Sequence, residues 1–146
     1  MLDEAGPVAE LEQLLRSAID EFCSQLPVSA EHPFAARKPD DYWLTLWAVV
    51  MHTQSHQVPH IHPSAWLSGV YYVEVPEVVL AGDSNGGWIE FGSRPSHFHA
   101  RSEPLVEFIQ PEEGLLLLFP SYFYHRTIAH EADQRRISMV FDVVPA

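Results

Sequence analysis

A chain of 146 residues, 47% hydrophobic and 19% charged, fits one soluble globular domain whose core needs no disulfide or metal staple. The formal charge of −12 comes from 8 basic and 20 acidic residues, with no basic cluster beyond Arg135–Arg136, so nucleic acid is not an expected partner. The lone Cys23 rules out an intrachain disulfide and a Cys-based zinc site, and no apolar run approaches the ~18 residues of a membrane span. The first ten residues, MLDEAGPVAE, are acidic and carry no apolar signal core, so the expected location is the cytoplasm.

In chain order, residues 8–23 come first as an amphipathic helix. Val8, Leu11, Leu14, Leu15, Ala18, Ile19 and Phe22 form an apolar stripe at helical spacing, with Glu10, Glu12, Arg16 and Asp20 around it. A polar connector, SAEHPFAARKPDD, follows. Beyond it lie short β-rich runs at 42–50, 66–75, 88–91, 105–109, 115–119 and 136–144, with a glycine-rich turn, AGDSNGG, at 81–87. No helical pattern of useful length separates these strands, so parallel βαβ units are not expected. The prediction is a single domain over 1–146: an N-terminal helix and connector over 1–40, then an antiparallel all-β core over 41–146 that a jelly roll would fit.

Nine histidines are the unusual feature of the composition, and four of them fall in MHTQSHQVPHIHP. On an extended chain His60 and His62 point to one face, ~6–7 Å apart at Cα, and could ligate one ion from adjacent corners. His97 and His99 share that spacing, but they lie in a polar stretch between Pro95 and Pro104 and read as a mobile loop. His52 and His56 precede the site and read as rim residues. Further on, PEEGLLLLFPSYFYHRT (111–127) runs from a turn through a buried strand to His125, the polar side chain of that segment able to act as a third ligand. Three imidazoles can cap one face of an octahedral ion and leave its other positions open.

In RRISMVFDVVP (135–145), strand alternation separates the apolar Ile137, Met139, Phe141 and Val143 from Arg136, Ser138, Val140 and Asp142. In a closed sheet the second set faces inward. A buried Arg136 then needs an anion. Either Asp142 or Glu74 provides it as a structural salt bridge, or a bound carboxylate ligand does.

HIHPSAWLSGVYYVEVP, GWIEF, PEEGLLLLFPSYFYHRT and RRISMVFDVV, in that order, resemble a family of 2-oxoglutarate/Fe(II)-dependent oxygenases with a prolyl-4-hydroxylase-like barrel. The resemblance covers roughly residues 42–145. It implies a double-stranded β-helix holding Fe(II) near its mouth and using 2-oxoglutarate. By that resemblance His60 is the first histidine of the HxD motif and His125 the distal histidine. His62 stands where the superfamily usually has a carboxylate, so a three-histidine site is implied unless a distant Glu74 or Glu90 approaches. Arg136 takes the position that grips the far carboxylate of 2-oxoglutarate, with Ser138 completing an R-x-S pair and Tyr72 sharing the carboxylate. Arg135 replaces Arg136 if the register differs.

The implied activity is hydroxylation of a small molecule or peptide, with 2-oxoglutarate converted to succinate and CO2. No side-chain general base is needed, because the chemistry is centred on the metal. Two other readings compete. A three-histidine cupin-type dioxygenase needs no 2-oxoglutarate, but it normally carries a glutamate soon after HxH, and PSAWLSG (63–69) has none. A non-catalytic barrel would bind metal or a partner only. Exposed strand edges in such a fold suggest a homodimer.

Overall fold

The computed structural model describes residues 6–27, 31–52, 57–82, 84–131 and 133–146. His56 lies outside the described residues, and His52 is exposed just after a strand. The chain forms two compact units, Met1–Lys38 and Pro39–Ala146.

The first unit contains helix α1 (Pro7–Gln25) and the short helix α2 (Pro33–Ala36). Pro7 suits the first turn of α1, where its fixed φ is helical and its missing N–H would have no intrahelical acceptor. Leu15 and Ile19 are buried, whereas Val8 and Leu14 are exposed, so the covered stripe is narrower than the periodicity predicts. Helix α2 falls within the predicted connector. Its Phe34 is buried and meets Phe22 edge-on, with ring centroids 6.2 Å apart. No helix among the described residues is long and apolar enough to cross a membrane.

The second unit is built from β1 (Tyr42–Met51), β2 (Leu67–Glu74), helix α3 (Glu77–Ala81), β3 (Ile89–Phe91), β4 (Glu107–Ile109), β5 (Leu116–Pro120), β6 (His125–Thr127) and β7 (Arg136–Pro145). Six of the seven strands fall on predicted runs. β6 does not: three residues are too few to show a period. The strands form two antiparallel sheets, ordered β1-β7-β2-β5 and β4-β3-β6. This is the predicted all-β fold with an N-terminal helix.

Register positions the site. Directly opposed residues in an antiparallel pair share a face. β7 pairs on one side with β1, matching Trp47 to Val140 and Val49 to Ser138, and on the other with β2, matching Ser68 to Asp142, Val70 to Val140 and Tyr72 to Ser138. One face of three neighbouring strands therefore presents Trp47, Val49, Ser68, Val70, Tyr72, Arg136, Ser138, Val140 and Asp142. The opposite face of β7 carries Phe141 and Val143, both fully buried. Gly69, opposed to Phe141, has to lack a side chain because a Cβ there would overlap the Phe141 ring. Val70, Tyr72, Val75, Val79, Ile89 and Phe119 form the core cluster, which draws on both sheets.

Candidate metal and anion site

The chain brings His60 and His125 together through the backbone. They form an isolated antiparallel bridge in which each N–H donates to the other residue's carbonyl at 3.1 Å. His62 follows two residues on, its own N–H donating to the Ser121 carbonyl at 3.0 Å. Pro63 opens the turn that ends the segment, closed by Ala65 N–H donating to the His62 carbonyl at 3.1 Å. The three imidazole centroids are 4.3 Å (His60–His125), 5.1 Å (His62–His125) and 5.4 Å (His60–His62) apart.

One ring nitrogen from each histidine lies within 4.8 Å of the others. Metal–imidazole bonds of about 2.1 Å set adjacent ligand atoms about 3 Å apart, so an ion requires the rings to converge by at most about 2 Å. The remaining nitrogens are already committed. His60 Nδ1 donates to the Val58 carbonyl at 2.8 Å, His125 Nδ1 to the Phe123 carbonyl at 2.9 Å, and His62 Nδ1 to Asp142 Oδ1 at 2.7 Å. Those oxygens only accept, so each Nδ1 carries a hydrogen and Nε2 is the nitrogen left to face a cation. Burial, reinforced by His60 and His62 and opposed by the Phe123 hydrogen bond, pushes the His125 pKa down to about 4, so its imidazole is neutral at pH 7. The donor set therefore fits a divalent transition metal.

The same cavity, about 300 Å³, is lined by the three histidines and by Tyr72, Arg136 and Ser138. Arg136 is only 4% exposed. Its Nη1 donates to the Gly87 carbonyl at 3.0 Å and its Nη2 to Thr127 Oγ1 at 3.1 Å, while Nε has no partner among the described residues. Neither predicted carboxylate reaches it. Asp142 is held by His62 and Ser68, and Glu74 pairs with Arg135 through two hydrogen bonds of 2.9 and 3.3 Å. Burial lowers the Arg136 pKa from its ordinary value. Tyr72 lies beside it, fully buried, with the guanidinium carbon 5.4 Å from the ring centroid and a hydroxyl that has no partner among the described residues. Burial, partly opposed by Arg136, pushes that phenol up to about 12 and keeps it a donor.

Other sequence candidates fall elsewhere. Arg135 is exposed and paired, away from the cavity lining. Glu90 makes a bidentate pair with Arg126, at 2.7 and 3.0 Å, so neither it nor Glu74 is free to serve the histidine cluster. His97 and His99 are exposed in the loop between β3 and β4, outside the cluster. Sequence reasoning missed Thr127 and Gly87 as Arg136 partners, and Ser68 and Asp142 as support for His62. Antiparallel pairing of β2 with β7 would have revealed the last two, because it opposes Ser68 to Asp142.

A jelly roll with a histidine cluster and a buried arginine in one cavity is an arrangement suited to metal-dependent chemistry on an anionic ligand. Residues 45–142 match the family described as "Putative 2OG-Fe(II) oxygenase". That span takes in well over half of the chain and every residue of the site, and the chain belongs to this family. No curated protein matches the chain. Among solved structures, it is similar to an oxidoreductase of the 2OG-Fe(II) oxygenase family from Burkholderia pseudomallei, with 17% identity and a TM-score of 0.51. The match covers 71% of this chain and 45% of that one, so the chain spans less than half the length of that relative. At this identity the likeness supports the fold alone.

Proposed function

We propose that this protein is an Fe(II)- and 2-oxoglutarate-dependent oxygenase. His60, His62 and His125 hold the metal, and Arg136, with Tyr72 and Ser138, receives the distal carboxylate of 2-oxoglutarate. The observation that carries this reading is Arg136 itself, a buried cation without a carboxylate partner among the described residues, in the cavity that the histidine cluster lines. A guanidinium so placed is costly alone and well used with a planar dianion that accepts two parallel hydrogen bonds. The non-catalytic alternative gives that cation no anion, and the cupin-type alternative gives it one only where the substrate is itself an acid.

When bound, Fe(II) would supply the chemistry by which O2 oxidatively decarboxylates 2-oxoglutarate, one oxygen atom entering succinate as CO2 leaves and the other hydroxylating a second substrate, a small molecule or peptide. The chain's own residues bind, orient and exclude water. Arg136, the protonated Tyr72 hydroxyl and the buried Ser138 hydroxyl point donors at one end of the cosubstrate. Val70, Val140, Ile89 and Phe119 wall the cavity with apolar surface. Three neutral imidazoles offset none of the metal's charge within the ligand set itself.

The test is anaerobic titration of the Fe(II)-loaded protein with 2-oxoglutarate, followed by its visible charge-transfer band, and succinate analysis once O2 is admitted. Arg136→Ala should weaken 2-oxoglutarate binding by about 30-fold or more, the cost of truncating one partner of a buried charge pair. Arg135→Ala should leave it unchanged. Unaltered affinity in Arg136→Ala would remove the anchor from the scheme.

A further inference from the structure

We infer that Asp142 is a positioning residue that supplies, through His62, the negative charge this metal site lacks at position 62; the inference rests on the metal reading above. The three histidines are not held alike. His60 and His125 each donate to a neutral backbone carbonyl two residues earlier in the chain, Val58 and Phe123. His62 instead reaches a carboxylate on the far strand β7, 80 residues away, at 2.7 Å. Ser68 Oγ donates to the same Oδ1 at 2.6 Å, and the β2–β7 register opposes Ser68 to Asp142. The carboxylate is thus clamped from two directions, by Ser68 across the β2–β7 pair and by His62 from the segment that precedes β2.

Both partners are largely shielded, with side-chain exposures of 12% for His62 and 15% for Asp142, so water screens the interaction weakly. A carboxylate accepting from Nδ1 draws the imidazole toward imidazolate character and makes Nε2 a stronger donor to a cation. Two imidazoles and a carboxylate around Fe(II) leave a net charge of +1. Three imidazoles leave +2, and counting Asp142 behind His62 returns the sum to +1. The charge is kept, moved outward by one side chain.

Asp142→Asn separates charge from geometry, since the amide oxygen can still accept from His62 and Ser68. Anaerobic Fe(II) titration and Co(II) binding, followed by the visible Co(II) bands, should show metal affinity reduced about 10- to 100-fold. The metal-free variant should keep its melting temperature. In the Co(II)-loaded variant, 2-oxoglutarate should bind as tightly as in wild type or more tightly, because a negative charge has been removed. A second arm places the carboxylate directly: in a His62→Asp background, Asp142→Asn should cost less than about 3-fold in metal affinity. Equal metal affinity in wild type and Asp142→Asn overturns the inference, as does joint loss of metal and 2-oxoglutarate binding, which marks a merely structural pair. A wild-type protein that binds neither Fe(II) nor Co(II) overturns the metal reading itself, and this inference with it.

Discussion

His60 and His125 are opposed across a backbone bridge, each N–H 3.1 Å from the other's carbonyl, although 65 residues separate them in sequence (125 − 60). Neither imidazole takes part in that pairing. The side chains are therefore free to serve an ion while the main chain fixes their separation. His125→Ala should leave the bridge and the fold intact, yet lower Fe(II) affinity by at least about 100-fold, more than loss of a supporting hydrogen bond costs. Anaerobic metal titration beside a thermal melt of the metal-free protein checks both halves.

Glu90 and Arg126 sit opposite one another on β3 and β6 and make two hydrogen bonds of 2.7 and 3.0 Å. The hydrogen bond to Arg126 holds the Glu90 carboxyl below its ordinary pKa, with burial opposing. A carboxyl with a folded pKa below its unfolded value, about 4.3, adds stability above that value and loses it as pH falls through the folded pKa. Glu90→Gln should therefore flatten the acid limb of the stability profile below about pH 4.3. At neutral pH it should cost about 1–2 kcal/mol, the lower end holding because Arg126 is half-exposed and screened. Urea denaturation at a series of pH values measures both effects.

Gly69 is a packing requirement of the barrel. Phe141 is fully buried and lies across the Gly69 backbone, where a methyl group would overlap its ring. The ring has no open solvent to swing into. Gly69→Ala should destabilise the protein by about 1–3 kcal/mol, the usual penalty for overpacking a filled core. A lower denaturation midpoint with an unchanged slope would identify the effect as lost stability.

Much of this architecture was legible in the sequence because period-2 alternation in β7 is unusually clean. It put Arg136, Ser138, Val140 and Asp142 on one face, and the first three line the cavity. HIHP, a pair of histidines one residue apart and stopped by proline, marked the extended entry to the site. His125 was visible as a lone polar group after an aromatic run, but the strand it occupies was not. Three residues show no period, and β6 exists because β3 pairs with it. Partner choice was the other blind spot. Asp142 was recognisable as an inward carboxylate, yet alternation says nothing about its neighbours across the sheet, and it could equally have served Arg136. Register opposes it to Ser68, its hydrogen bond takes it to His62, and the guanidinium then meets no carboxylate among the described residues.

That unpaired guanidinium gives a prediction with opposite signs in the free and bound protein. Arg136 makes two hydrogen bonds, to Gly87 and Thr127, while its charge meets no carboxylate among the described residues. Arg136→Met keeps much of the side-chain length and removes the buried charge. Losing the hydrogen bonds costs about 1–3 kcal/mol, and relieving the desolvated cation returns about as much or more. The metal-free, ligand-free variant should therefore melt at the wild-type temperature or above it. Ligand binding shifts melting upward by mass action, so Fe(II) alone should raise both melting temperatures, and adding 2-oxoglutarate to the Fe(II)-loaded proteins should raise wild type further and Arg136→Met by much less. A marked fall in the melting temperature of the ligand-free variant would instead make Arg136 a structural member of the core.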